Sequence, residues 1–77
     1  METKIVNLLS DICGAEPEEI TPDLQLFEEG LLDSFAVIQL VMSLEETFGI
    51  SLKIEKIPRE RLATPKAIES FIQEALQ

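Results

Sequence analysis

An all-α bundle of three main helices plus one short helix, with a long loop between helices 1 and 2, is the fold this sequence predicts. Three observations predict it. Apolar residues recur at helical spacing in three separate stretches, Gly or Pro punctuates each stretch, and the one segment that alternates like a strand has no second segment to pair with. A chain of 77 residues can enclose only one core, so residues 1–77 are expected to form a single domain. Apolar residues at 45% supply that core, and 27% charged residues place the chain among soluble globular sequences rather than disordered ones.

The first helix follows from Ile5, Leu8, Leu9 and Ile12, which share one face at i, i+3, i+4 and i+7. Thr3 is placed to cap it, and Gly14 stands where a left-handed stop is needed. Residues 15–33 then carry Pro17, Pro22 and Gly30 among acids, a composition that breaks regular structure. A loop of that length is uncommon in a small domain unless its own apolar residues pin it. Ile20, Leu24, Leu26, Phe27, Leu31 and Leu32 are available to do so.

Residues 34–48 contain neither Gly nor Pro, and Val37, Leu40, Val41, Leu44 and Phe48 repeat at helical spacing before Gly49 ends the run. This is the central helix. Ile50, Leu52 and Ile54 are expected to form a lone extended segment, and Arg59 to Leu62 a short helical turn after Pro58. Thr64 and Pro65 form an N-cap and N1 pair for the last helix, whose expected buried stripe is Ile68, Phe71, Ile72, Ala75 and Leu76.

Charge and composition exclude several function classes. A net charge of -9 would repel nucleic-acid phosphates and anionic lipid headgroups, so no nucleic-acid partner and no direct membrane insertion are expected. All six bases lie outside residues 5–52, which makes that acidic stretch a surface for basic partners. No apolar run approaches a bilayer span, and Met1 opens onto mixed polar residues, so a cytoplasmic, non-secreted protein is expected. A monomer is the expected state. With one cysteine and no histidine, an internal disulfide, a conventional Cys/His zinc site and histidine-dependent catalysis are all excluded. Cys13 beside the first apolar stripe is expected to pack as a small hydrophobe. The acids match no calcium-loop spacing, and Glu16, Glu18 and Glu19 read as a solvated face.

Candidate chemistry concentrates in LFEEGLLDSFAVIQLVMSL, residues 26–44, where a hydroxyl enters the central helix after the long loop. Ser34 is expected to be the N-cap of that helix, with Asp33 meeting the positive end of the helix dipole. Capping would leave it exposed, beside backbone N–H groups suited to orienting a phosphate ester. It cannot be a self-activated nucleophile: the chain has no His, the nearest Lys in sequence is Lys53, and the adjacent Asp33 is too weak a base for an alcohol. Ser34 must therefore be acted upon by another protein. Phe35, Ile38 and Met42 fall outside the core stripe and either pack beneath the loop or form a docking patch, with Glu28, Glu29, Glu45 and Glu46 at its edges to steer a partner.

Asp33-Ser34-Phe35 at the head of an apolar helix, after a long acidic loop, resembles the attachment motif of the acyl carrier protein family. The likeness covers almost the whole chain. It is strongest to the D-alanyl carrier branch of Gram-positive bacteria, on LFEEGLLDSF at residues 26–35, Gln39 in the apolar helix, and ATP at residues 63–65. The resemblance implies that Ser34, flanked by Asp33 and Phe35, carries covalent 4′-phosphopantetheine added by a phosphopantetheinyl transferase. It further implies that a D-alanine-activating ligase loads the thiol of that arm as a thioester, and that a membrane acyltransferase takes the cargo onward for D-alanylation of lipoteichoic acid. The protein would be a carrier and not an enzyme, and Ile38 and Met42 would fall where the family meets its partners. Fatty-acid carriers add acids along this helix, whereas Ala36 and Gln39 are neutral here, a departure that favours the aminoacyl branch. A carrier for another acyl or aminoacyl group in fatty-acid, polyketide or nonribosomal peptide synthesis is the nearest alternative. A cofactor-free helical module that grips a partner helix through Phe35, Ile38 and Met42 is the alternative from another class.

Overall fold

The computed structural model describes residues 3–77. Three α-helices carry the architecture, α1 at Thr3–Cys13, α2 at Ser34–Phe48 and α3 at Pro65–Leu76, with 3-10 turns at Pro17–Glu19, Ile54–Lys56 and Arg59–Leu62. No strand occurs among the described residues, as the missing second strand signal predicts. α1 packs on both α2 and α3, and the last 3-10 turn packs on α3.

The helices form where the apolar spacing places them. Ile5, Leu8 and Leu9 of α1 meet Leu40, Val41 and Leu44 of α2 and Ile68 and Ile72 of α3 in one buried cluster, with Ile12, Val37, Phe48 and Phe71 half-buried at its margin. Gly49 ends α2 at φ 64 and ψ 38, the left-handed region that costs a residue with a Cβ about 1–2 kcal/mol, and its N–H donates to the Glu45 carbonyl. Thr64 caps α3 by accepting from the Ala67 N–H at 3.1 Å, and Pro65 follows at N1.

The long loop is ordered because its apolar residues do enter the core. Ile20, Leu26 and Leu32 are buried within the main cluster, and Leu24, Phe27 and Leu31 pack against it. Leu26 is the hub: its N–H donates to the Ala63 carbonyl at 2.9 Å, and its own carbonyl accepts from Leu31 at 2.9 Å and Leu32 at 3.0 Å. A further bond at 3.1 Å runs from the Lys66 N–H to the Pro22 carbonyl, fastening the loop to the start of α3.

Four expectations need correction. Thr3 lies within α1 rather than before it, so the capping position falls outside the described residues. The loop contains a 3-10 turn led by Pro17, where the Glu16 N–H donates to Glu19 Oε1 at 2.8 Å; Glu19 is exposed yet committed to that turn. The segment from Ile50 is not extended throughout, because it tightens into a 3-10 turn at Ile54–Lys56. Ala75 and Leu76 are exposed, Leu76 at 54%, since the helix outruns the partners that would cover its last turn.

Arg61 clamps the last 3-10 turn to α3 by donating to Glu74 at 2.6 and 3.4 Å, and it also lies 5.3 Å from the Phe71 ring centre. The hydrogen bond from Arg61, reinforced by its charge, holds the Glu74 carboxyl below its ordinary value. A depressed carboxylate contributes stability that is present above its unfolded pKa and fades as pH falls through the folded one. Chemical denaturation across the acid range should therefore show a small loss in the wild type that Arg61→Gln lacks, small because the pair is solvent-exposed. Leu26→Ala should cost about 2–5 kcal/mol in the same assay, because it empties a fully buried site at the loop hub.

Candidate functional site

The head of α2 is organised by Asp33, not by Ser34. Asp33 is extended, at φ -130 and ψ -175, and its Oδ1 accepts from the Ala36 N–H at 2.8 Å, which makes it the N-cap. Ser34 is consequently the first helical residue, correcting the expectation that it caps. The expected cap fell one residue too late, because Asp and Ser rank almost equally as caps and the two are adjacent. The chemical consequence is favourable: the Ser34 side chain is exposed, and its hydroxyl makes no hydrogen bond among the described residues.

Ser34 opens onto a cleft of about 320 Å³. Val37 and Ile38 of α2 form one wall, Phe27 comes from the loop, and Ile54, Ile57 and Arg59 come from the segment before α3. The Arg59 guanidinium lies 4.1 Å from the Phe27 ring centre, so a cation–π contact closes the loop side of the cleft. Neither Arg59 nor the two isoleucines figured among the site residues expected from sequence. No periodic or motif signal links residues 54–59 to residue 34; only the fold brings them together.

Phe35, Ile38 and Met42 are 71%, 48% and 60% exposed, so they do not pack beneath the loop. They run down the outer face of α2. A second cleft of about 280 Å³ shares Ile38 and Ile54 with the first and is lined by Val41, Met42 and Glu45 of α2 and by Leu52, Lys53 and Glu55. Glu28, Glu29 and Glu46 are exposed. Glu45 differs, because it is half-buried and its Oε2 accepts from the Leu52 N–H at 2.8 Å, tying the chain beyond Gly49 back to α2.

Cys13 is half-buried against the core, as expected, and burial raises its thiol pKa. No group of three or more His, Cys, Asp or Glu side chains suited to a metal occurs among the described residues. No described helix is long and apolar enough to cross a membrane.

The exposed alcohol at the start of α2 is joined by a match over most of the chain: residues 3–72 fit the sequence model of the phosphopantetheine attachment site family. The chain belongs to this acyl carrier family. It is therefore a carrier, and its cofactor is covalently attached 4′-phosphopantetheine. A D-alanyl carrier protein of Enterococcus faecalis is 42% identical over 77 residues, covering 100% of this chain and 97% of the relative. D-alanyl carrier proteins of Bacillus velezensis and Bacillus cereus are each 34% identical over 71 residues, covering 92% of this chain and 91% and 90% of those proteins.

Asp33→Ala should destabilise the fold by about 1 kcal/mol through loss of the cap. Ser34→Ala, outside the cap, should stay within about 0.5 kcal/mol of the wild type. Thermal or urea unfolding of the two variants separates these outcomes.

Proposed function

We propose that Ser34 holds the 4′-phosphopantetheine arm and that the arm carries D-alanine. The observation that carries the first part is the division of labour at the head of α2: Asp33 satisfies the helix end, leaving the Ser34 hydroxyl exposed and uncommitted. The site fits a phosphate ester, since a primary alcohol at the first turn stands next to backbone N–H groups at the positive end of a helix of 15 residues. The bound group supplies a thiol on a flexible tether, able to hold an acyl group as an activated thioester.

The chain's own contribution is placement and recognition. Ester formation would make an O–P bond at Ser34 Oγ as the pyrophosphate P–O bond of the arm's nucleotide donor breaks and the nucleotide phosphate leaves; in a chain without His, the base that takes the hydroxyl proton would belong to the phosphopantetheinyl transferase. Asp33 keeps the helix start fixed while the enzyme works on the neighbouring residue. Phe35, Ile38 and Met42 offer an apolar strip that successive partners desolvate, and Glu28, Glu29 and Glu46 lie in an acidic surround that guides basic partners toward it. Glu45, occupied by Leu52, shapes this surface more than it steers.

D-alanine as cargo is supported by the names of the full-length relatives and by the neutral Ala36 and Gln39 on α2. On this reading a D-alanine-activating ligase loads the arm in the cytoplasm. A membrane acyltransferase then receives the D-alanyl group for lipoteichoic acid, with the carrier acting as a monomer that docks and leaves.

Coexpression with a phosphopantetheinyl transferase should add the mass of one arm to the wild type and none to Ser34→Ala. Incubation of the modified protein with a D-alanine ligase and ATP should then give an adduct that hydroxylamine removes. Unmodified wild-type mass would overturn the attachment site, and equal or better loading with fatty acids would overturn the cargo. Ile38→Glu and Met42→Glu should impair loading or delivery while unfolding within about 0.5 kcal/mol of the wild type, because both side chains are exposed. Substantial unfolding of either would return that residue to the core.

A further inference from the structure

We infer that Arg59 is a positioning residue for the phosphodiester of the arm, drawing that group into the cleft between α2 and the 54–59 segment. The inference rests on Ser34 being the attachment point. Ser34 and Arg59 line the same cleft, and every other residue of its lining is uncharged. An esterified Ser34 would add an anion to the acidic stretch 5–52, close in sequence to Glu28, Glu29 and Asp33. Arg59 is the cation that the fold delivers to that opening from outside the stretch.

Arg59 is also held ready for the role. Its guanidinium is stacked at 4.1 Å on Phe27, a contact that restrains the long side chain while leaving its in-plane N–H donors available. Arg61, two residues on, is occupied by Glu74, whereas Arg59 makes no ion pair among the described residues. Arginine suits a phosphodiester because its planar fork donates to two oxygens at once. The apolar walls from Val37, Ile38 and Ile57 reduce competing solvation on one side of the pair, and the arm's paired methyl groups next to the phosphate would lie along them. Because Arg59 is exposed, the interaction is modest and screened by salt.

The test uses the modified full chain, with intact mass first establishing one arm in wild type, Arg59→Gln, Arg59→Lys and the charge-matched control Lys66→Gln. Phosphorus NMR then follows the phosphodiester resonance in a sodium chloride titration, and proton NOEs are sought between the arm's methyl groups and the Phe27 ring. The wild type and Lys66→Gln should show a salt-dependent resonance and those NOEs. Arg59→Gln should lose both, and Arg59→Lys should retain part of the salt dependence. A salt-independent resonance in the modified wild type, or spectra unchanged by Arg59→Gln, would overturn the role of Arg59 while leaving Ser34 as the attachment site. Failure of the wild type to acquire the arm would overturn the attachment reading itself, and the role of Arg59 with it. The wild-type titration decides the matter even if Arg59→Gln fails to fold.

Discussion

The anchoring of Leu26 is the constraint on which the rest depends. A loop spanning residues 15–33 has too many conformations to deliver α2 at a fixed angle unless something in it is bound tightly, since each ordered residue costs about 1–2 kcal/mol of backbone entropy. Leu26 supplies the tie in two ways. Its side chain is fully buried among the helices, and its peptide groups exchange three hydrogen bonds, one with Ala63 just before α3 and two with Leu31 and Leu32 just before α2. The loop therefore arrives at Asp33 from a defined direction. Phe27, next to the hub, is in consequence set against Arg59, and the cleft beside Ser34 exists because these two neighbours in space are fixed by the same tie.

Helix existence was legible in the sequence because burial imposes its period on it. Ile5, Leu8 and Leu9, then Leu40, Val41 and Leu44, then Ile68 and Ile72 occupy the faces that their spacing assigns. The loop's pins were legible for a related reason: a large apolar residue in an acidic, Pro-containing stretch has little else to do. What periodicity could not resolve was the helix end. Continuing the stripe of α3 to Ala75 and Leu76 assumes that a partner persists to the last turn, and the bundle is too small to provide one. The choice between Asp33 and Ser34 as cap turned on a single residue of register, which hydrophobic spacing does not determine at that precision.

The candidate site was legible to the extent that it is local. Asp33, Ser34 and Phe35 are contiguous, and Ile38 and Met42 follow on the same helix, so a one-dimensional reading finds them. Ile54, Ile57 and Arg59 are brought to Ser34 by folding, through a segment with no strong helical or strand pattern. The latch from Glu45 to Leu52 was hidden for the same reason. An acid at the edge of a surface helix looks like a steering charge until the returning chain is seen to donate an N–H to it.

A carrier of an activated acyl group must be chemically quiet toward its own cargo, and the structure supports that requirement in physical terms. A thioester is lost to thiolates, unprotonated amines and general-base-assisted water. The chain has no imidazole to act as such a base. Its one thiol, Cys13, sits half-buried against the core, where desolvation disfavours the thiolate, so at neutral pH it stays protonated and weakly nucleophilic. Asp33, the carboxylate nearest Ser34 in sequence, commits one oxygen to the Ala36 N–H. The composition that leaves out an imidazole base also removes one route by which a reactive cargo would be lost, and what the bundle contributes is an exposed alcohol, an apolar strip beside it and charge around both.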